Sequence, residues 1–156
     1  MRPPRDATCY AHAVLKQAPQ LTIPPEPIAL PDPQAVAALL RDFAAPLLYV
    51  DKGGPLNIDT LKTTIMLAMI CWNVPVYEAT QSPMFQRGER TLQQIKAQVP
   101  ARVNKALDQL IESRKTTFAD RPFLVIAEVL GTHPNDASIV AEARWATSKF
   151  PQADAS

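Results

Sequence analysis

Glycine is scarce in this sequence. The 156 residues contain only four glycines, at positions 53, 54, 88 and 131. A phosphate-cradling P-loop and the dinucleotide fingerprint of a Rossmann fold each need several glycines at fixed short spacings. The sequence therefore excludes nucleotide binding by those two routes. The pair Gly53-Gly54, which follows Asp51 and Lys52, is more typical of a turn than of an anion-binding loop.

Cysteine and histidine are equally rare, with two of each. Cys9 and His12 have the spacing of half a zinc site, but the other half would have to come from Cys71 and His133, which stand alone in the sequence. Structural zinc sites normally show two paired groups of ligands. We therefore expect no metal, no cofactor and no disulfide framework.

No nucleophilic motif is present. The serines lack the context of a nucleophile elbow, and Cys71 has no base near it in the sequence. His133, in the loop sequence GTHPND beside Asp136, is a candidate acid or base, and His12 is a second one. An enzyme with a pocket near His133 or His12 remains an alternative, but the sequence favours a protein that is not an enzyme.

Long hydrophobic runs are also lacking. The longest apolar segment, Ile65 to Trp72, has eight residues, whereas a membrane-spanning helix needs about 20. Prolines and charged residues interrupt the N-terminus, so it lacks the apolar stretch of a signal peptide. We expect a cytoplasmic protein without a membrane partner, in which Ile65 to Trp72 forms part of a buried helix.

Charge is balanced over the whole chain and uneven along it. Sixteen basic and fifteen acidic side chains give a net charge of +1, too little to recruit nucleic acid by a global field. Residues 87–115, however, hold seven basic and three acidic side chains. Arg90, Arg102 and Lys105, with Gln94 and Gln98, can share one helical face and form an interaction face for an acidic partner or nucleic acid. No aromatic side chains interleave with them, so nucleic acid is not favoured.

Proline is what the sequence has in excess. Ten of the sixteen prolines lie in the first 55 residues, and proline favours extended backbone in itself and in the residue before it. We predict an extended proline-rich arm over residues 1–32. Its large aliphatic side chains favour docking of the arm on its own core or on a second copy; these side chains are Leu21, Ile23, Ile28 and Leu30.

Helical signals follow the arm. Asp32 before Pro33 is an N-cap with proline at the first helical position, and the apolar spacing predicts a helix from Pro33 to about Ala44. A second helix is predicted from about Ile58 to Trp72, covered on all sides. Asn73 and Pro75 are expected to end it, with Val74 extended.

Two segments leave alternatives open. Residues 89–115 keep a helical apolar spacing through Pro100, which fits either one kinked helix or two helices that meet there. Residues of about 122–146 alternate between apolar and polar, which predicts a β-hairpin with a long loop. The same segment also has the caps of two helices, which would make the domain all-α.

The sequence thus predicts an α+β fold: a mainly helical domain over residues 33–150 with a C-terminal hairpin, preceded by the arm. An exposed strand edge is a natural place for a second chain to pair. We expect a small accessory or protein-interaction module that associates with itself through the hairpin or the arm. Small-molecule binding is left open.

Overall fold

A computed structural model describes residue 21 and residues 29–50, 57–133 and 135–146. Within these ranges the chain forms four helices followed by two strands: α1 (Pro33–Leu48), α2 (Ile58–Ala79), α3 (Met84–Lys96), α4 (Ala101–Lys115), β1 (Leu124–Leu130) and β2 (Ser138–Arg144). The fold is α+β, as predicted, and the all-α alternative is wrong. Most of the predicted arm and the Gly53-Gly54 turn lie outside the described residues.

Helix α1 begins as the sequence predicts. The Asp32 carboxylate accepts a hydrogen bond of 2.8 Å from the backbone N–H of Ala35, and Pro33 occupies the first helical position. The helix continues to Leu48, past the predicted end near Ala44, with Pro46 inside its last turn. A proline at this position removes only one helical hydrogen bond, so it does not end the helix.

Helix α2 is longer than predicted. Asn73, Val74 and Pro75 do not end the helix, because it continues to Ala79. Pro75 removes one helical N–H, but the helix around it has hydrogen-bond partners outside itself. The Trp72 carbonyl accepts from Arg114, and the Asn73 side chain bonds to β1. These tertiary contacts stabilise a segment that its local sequence disfavours.

Pro100 separates two helices. Helix α3 ends at Lys96, α4 starts at Ala101, and Pro100 itself is extended with φ −62° and ψ 159°. The alternative of one kinked helix is therefore wrong. Arg90 lies on α3 whereas Arg102 and Lys105 lie on α4, so these three side chains do not share the face of a single helix.

The two strands form an antiparallel hairpin, as predicted. Val125 pairs with Ala143, Ala127 with Ala141, and Val129 with Ile139. These residues face the core, while the residues between them face outward. Gly131 starts the connection with φ +125°, and a Cβ atom there would lie 2.9 Å from Asp136 Oδ1, so the turn requires glycine.

One hydrophobic core joins α1, α2, α4 and the inner face of the hairpin. Its centre is aromatic: the ring centroids of Phe43 and Trp72 are 5.1 Å apart, and those of Phe43 and Phe118 are 5.4 Å apart, both edge to face. Helix α3 packs against α2 where Gly88 approaches Val74. A Cβ atom at Gly88 would lie 2.9 Å from the side chain of Val74.

Arg114 is fully buried beside this aromatic centre. Its guanidinium carbon lies 3.8 Å from the centre of the Trp72 ring. The guanidinium donates hydrogen bonds to the carbonyls of Trp72 (2.9 Å), Phe118 (2.5 Å), Arg121 (2.6 Å) and Phe123 (3.4 Å). Burial, with a smaller contribution from Arg121, lowers the pKa of Arg114 to about 9. The side chain therefore stays charged at pH 7 and ties the end of α4 to α2 and to the start of β1.

None of the helices in the described part of the chain combines the length and the apolar character that crossing a bilayer requires.

Candidate interaction surface

The predicted acid or base His133 lies in the connection between the strands and is exposed. Its backbone N–H donates to Asp136 Oδ1 at 3.0 Å, and its carbonyl accepts from the backbone N–H of Asp136 at 3.1 Å. Asp136 thus stabilises a turn rather than orienting an imidazole ring. His12, the other candidate, lies outside the described residues.

Of the four residues weighed above as zinc ligands, Cys71 and His133 lie in the described part of the chain. No three His, Cys, Asp or Glu side chains there are placed to hold a metal ion. Cys71 is fully buried in α2 as a free thiol, and burial raises its pKa to about 12. Cys71 is therefore a core residue, while Cys9 lies outside the described residues.

Because of this burial, the Cys71 thiol should react very slowly with an alkylating reagent. A pKa of about 12 in place of 9.0 lowers the thiolate fraction about 1000-fold at pH 8, and the thiolate is the nucleophile. We expect iodoacetamide labelling of a Cys9→Ser variant to be at least that much slower in the native than in the denatured protein, as followed by mass spectrometry. A difference of less than tenfold would contradict the burial of Cys71.

Arg90, Arg102 and Lys105 are all exposed, as an interaction face requires. They lie on two helices, however, and Lys105 borders a shallow depression that also contains Asp108 and Glu112. Acidic side chains next to Lys105 reduce the local positive field that a phosphate would meet. This predicted face remains a prediction.

Two cavities lie between the helices. One of about 230 Å³, between α2, α3 and α4, contains charged side chains that pair with one another. Lys96 lies 2.6 Å from Asp108, and Lys115 lies 4.0 Å from Glu78. The other, of about 360 Å³, is mainly apolar and lies between the end of α1 and the start of α2. Among the described residues, no histidine or cysteine lines either cavity.

The exposed apolar side chains are unevenly distributed. Among the described residues, six large apolar side chains are exposed: Tyr49, Met66, Met84, Ile126, Leu130 and Val140. Three of them lie on the outer face of the hairpin, each nearly half exposed. Met66 is 46% exposed, so the prediction that α2 is covered on all sides is wrong at this residue.

Helix α2 extends this apolar surface past the edge of β1. Met66, Met69, Asn73 and Tyr77 follow one another at intervals of three or four residues, which places them on one face of the helix. Met69 Sδ accepts a bond of 3.3 Å from the backbone N–H of Ala127, so this face adjoins β1. Met69, Asn73 and Tyr77 also line a groove of about 210 Å³ between α2 and α3, together with Met84.

We call the following side chains of the outer hairpin face, α2 and α3 the apolar strip: Met66, Met69, Met84, Ile126, Leu130 and Val140. It contains every exposed large apolar side chain of the described residues except Tyr49.

The two ends of the apolar strip differ in charge. Exposed Glu128 lies on the hairpin end, where Glu142 pairs with Arg144 at 2.5 Å. Exposed Arg87 lines the groove at the other end.

The edge of β1 is closed by helix α2. Trp72 Nε1 donates to the Phe123 carbonyl at 2.8 Å. The Asn73 amide donates to the Val125 carbonyl and accepts from the Val125 N–H, both at 2.9 Å. A side chain thus takes the place of a neighbouring strand, and the edge offers little to a second chain.

Comparison with models of protein families, with curated proteins and with solved structures finds no match to this chain. Its function is therefore inferred from its own surface.

Proposed function

We propose that this protein is a small interaction module that associates with a second copy of itself through the apolar strip. The concentration of exposed large apolar side chains on one surface supports this proposal most directly. Scattered exposed apolar residues are normal, but contiguous apolar patches of a few hundred Å² on soluble proteins mark interaction sites.

Charge complementarity favours a second copy as the partner. The hairpin end of the strip carries Glu128, and the groove end carries Arg87. A two-fold axis that places the hairpin of one copy on the groove of the other brings these opposite charges together twice. The net charge of +1 adds little repulsion between copies.

The size of the strip predicts weak association. Two strands of seven residues present a footprint of about 230 Å², and the α2 stripe from Met66 to Tyr77 adds about 170 Å². Stable interfaces cover about 800 Å² on each partner. We therefore expect a dissociation constant of about 10 µM to 1 mM, as in transient contacts.

The face of the hairpin is a better site than its edges, through which the sequence suggested pairing. Helix α2 already covers the edge of β1. On the other edge, the central residue of β2, Ala141, is only 3% exposed, so a second chain would gain little by pairing there. A partner on the outer face of the hairpin would instead bury exposed apolar side chains, namely Ile126, Leu130 and Val140.

Exchanging the charges should test the interface directly. Arg87→Glu and Glu128→Arg should each weaken self-association about 10- to 30-fold, because each replaces two attractive contacts by two repulsive ones. An equimolar mixture of the two variants should recover affinity near that of the native protein, since both contacts become attractive in the mixed dimer. Sedimentation velocity measures the separate variants, and isothermal titration of one into the other measures the mixture.

Two uncharged substitutions provide the control. Ile126→Thr removes apolar area from the strip while keeping a residue that favours strands, so it should weaken association. Tyr49→Ser removes the exposed ring outside the strip, which is 71% exposed, and should leave association unchanged. A native protein that is monomeric up to about 1 mM, or equal effects of both substitutions, would refute the proposal.

A further inference from the structure

The methionines of this chain are concentrated on the apolar strip. The chain has four methionines, and the three beyond Met1 are Met66, Met69 and Met84. Met66 is 46% exposed and Met84 is 42% exposed, while Met69 is half-buried and lines the groove between α2 and α3 together with Met84. Every exposed large apolar side chain of α2 and α3 is thus a methionine, whereas the strands expose only aliphatic ones.

The fourth sulfur atom of the described residues is protected from oxidants. Cys71 is a free thiol buried in the core, and burial raises its pKa to about 12. A peroxide reacts with a thiolate rather than a thiol, and only where it has access to the sulfur. Within the described part of the chain, the thioethers of Met66 and Met84 are therefore the first sulfur atoms that a dissolved oxidant meets.

Met69 differs from the other two methionines in what its sulfur contacts. The Met69 Sδ atom accepts a hydrogen bond of 3.3 Å from the backbone N–H of Ala127. This bond engages one of the lone pairs with which the sulfur would attack an oxidant, and part of the side chain is covered. Met69 should therefore be oxidised more slowly than Met66 and Met84, which makes it an internal reference.

We propose that Met66 and Met84 are sites of reversible oxidation to methionine sulfoxide by hydrogen peroxide, and that this modification weakens association through the apolar strip. A sulfur lone pair attacks one peroxide oxygen, so an S–O bond forms as the O–O bond breaks. The proton of the transferred hydroxyl passes to the departing hydroxide, which leaves as water. The sulfur is oxidised by two electrons and the peroxide is reduced by two. Methionine sulfoxide reductases reverse the change.

The effect on association, which rests on the proposed function, follows from the polarity of the sulfoxide. Oxidation converts a flexible apolar side chain into a polar one. Water satisfies the new oxygen acceptor in the free protein, but burial against the aliphatic face of a hairpin leaves it without a donor. In the proposed two-fold dimer, the groove of each copy lies against the hairpin of the other. Oxidation therefore weakens both contacts of the dimer.

Peptide mass spectrometry of a peroxide-treated Cys9→Ser variant tests the sites themselves. The protein is treated at high dilution, where the strip is free, and the addition of one oxygen is followed at each methionine. We expect Met66 and Met84 to be oxidised at least about fivefold faster than Met69 in the native protein. In the denatured protein the three rates should be equal, because the bond from Ala127 and the cover of α2 are lost.

Sedimentation velocity of the same protein tests the consequence. Oxidation should weaken self-association at least about tenfold. Reductase treatment with dithiothreitol, which supplies two electrons for each sulfoxide while the oxygen leaves as water, should restore it. The double variant Met66→Leu/Met84→Leu keeps the apolar volume, so it should associate like the native protein and no longer respond to peroxide. Met69→Leu is the matched control, and its association should remain sensitive.

Three outcomes would overturn this inference and leave the proposed dimer intact: oxidation of Met69 as fast as that of Met66 and Met84, equal association of the oxidised and native proteins, or a peroxide effect that persists in Met66→Leu/Met84→Leu. A native protein that is monomeric up to about 1 mM refutes the proposed dimer, and the regulation of that dimer fails with it.

Discussion

Replacing Arg114 with methionine should lower the free energy of unfolding by about 3 to 5 kcal/mol. Methionine approximates the length of the side chain but leaves the carbonyls of Trp72, Phe118 and Arg121 without their donor. It also removes the cation over the Trp72 ring. A domain of this kind is stable by about 5 to 15 kcal/mol, so the loss is a large part of the total. Urea unfolding followed by tryptophan fluorescence measures it.

The same substitution at Arg121 is the matched control. The Arg121 side chain is partly exposed and pairs with exposed Asp120, and surface pairs contribute about 0 to 1 kcal/mol. Arg114→Lys should fall between the two, because lysine keeps the charge but lacks the planar fork that reaches several carbonyls. Equal stability of Arg114→Met and Arg121→Met would contradict the role of the buried guanidinium.

Replacing Asn73 with leucine should cost about 2 to 3 kcal/mol and open the edge of β1. The Val125 N–H and C=O each lose a hydrogen bond of 2.9 Å, and buried polar groups without partners are costly. Leucine has a higher helix propensity than asparagine by a few tenths of a kcal/mol. This gain offsets only a small part of the lost hydrogen-bond energy. Urea unfolding measures the stability, and faster hydrogen exchange of the Val125 amide locates the change.

The substitution Asn73→Asp separates the contributions of two hydrogen bonds, the one to the Val125 carbonyl and the one from the Val125 N–H. A charged aspartate still accepts from the Val125 N–H but repels the Val125 carbonyl, whereas the protonated form can donate to that carbonyl. The folded protein therefore favours the protonated form and raises the pKa of this carboxyl. Asn73→Asp should recover stability relative to the native protein as the pH falls from about 7 to about 4. A constant difference across this range would show that the bond to the carbonyl contributes nothing.

Local signals predicted the starts of α1 and α2 and the hairpin, whereas the largest miss, the end of α2, came from tertiary contacts. Asp32 and Pro33 start α1 through interactions within four residues, so sequence suffices there. Asn73 and Pro75 carry the local signature of a helix end, yet Asn73 bonds to a strand 52 residues later. No local pattern contains that partner. The hairpin was predictable because its alternation is itself local.

The apolar strip is harder to predict from sequence than the fold. Met66 sits in an unbroken apolar run, which indicates burial but does not show which side of the helix the other elements leave uncovered. Only the packing of β1 beside α2 shows that the face of α2 with Met66 and Met69 adjoins the strand that contains Ile126. Arg114 is one of the seven basic side chains of residues 87–115, and no local signal marks it as buried, because a charged residue near a helix end normally faces water.

The contact of α1 with β2 has a consequence for synthesis on the ribosome. About 90 residues separate the end of α1 from the start of β2, and translation proceeds at about 5 to 20 residues per second. Part of the apolar face of α1 therefore stays uncovered for about 5 to 18 s before β2 has been synthesised. Because this contact is so distant along the chain, folding is completed only after the C-terminal hairpin leaves the exit tunnel. A nascent chain that stalls before residue 138 leaves that face without its partner strand, as a site for chaperones to bind.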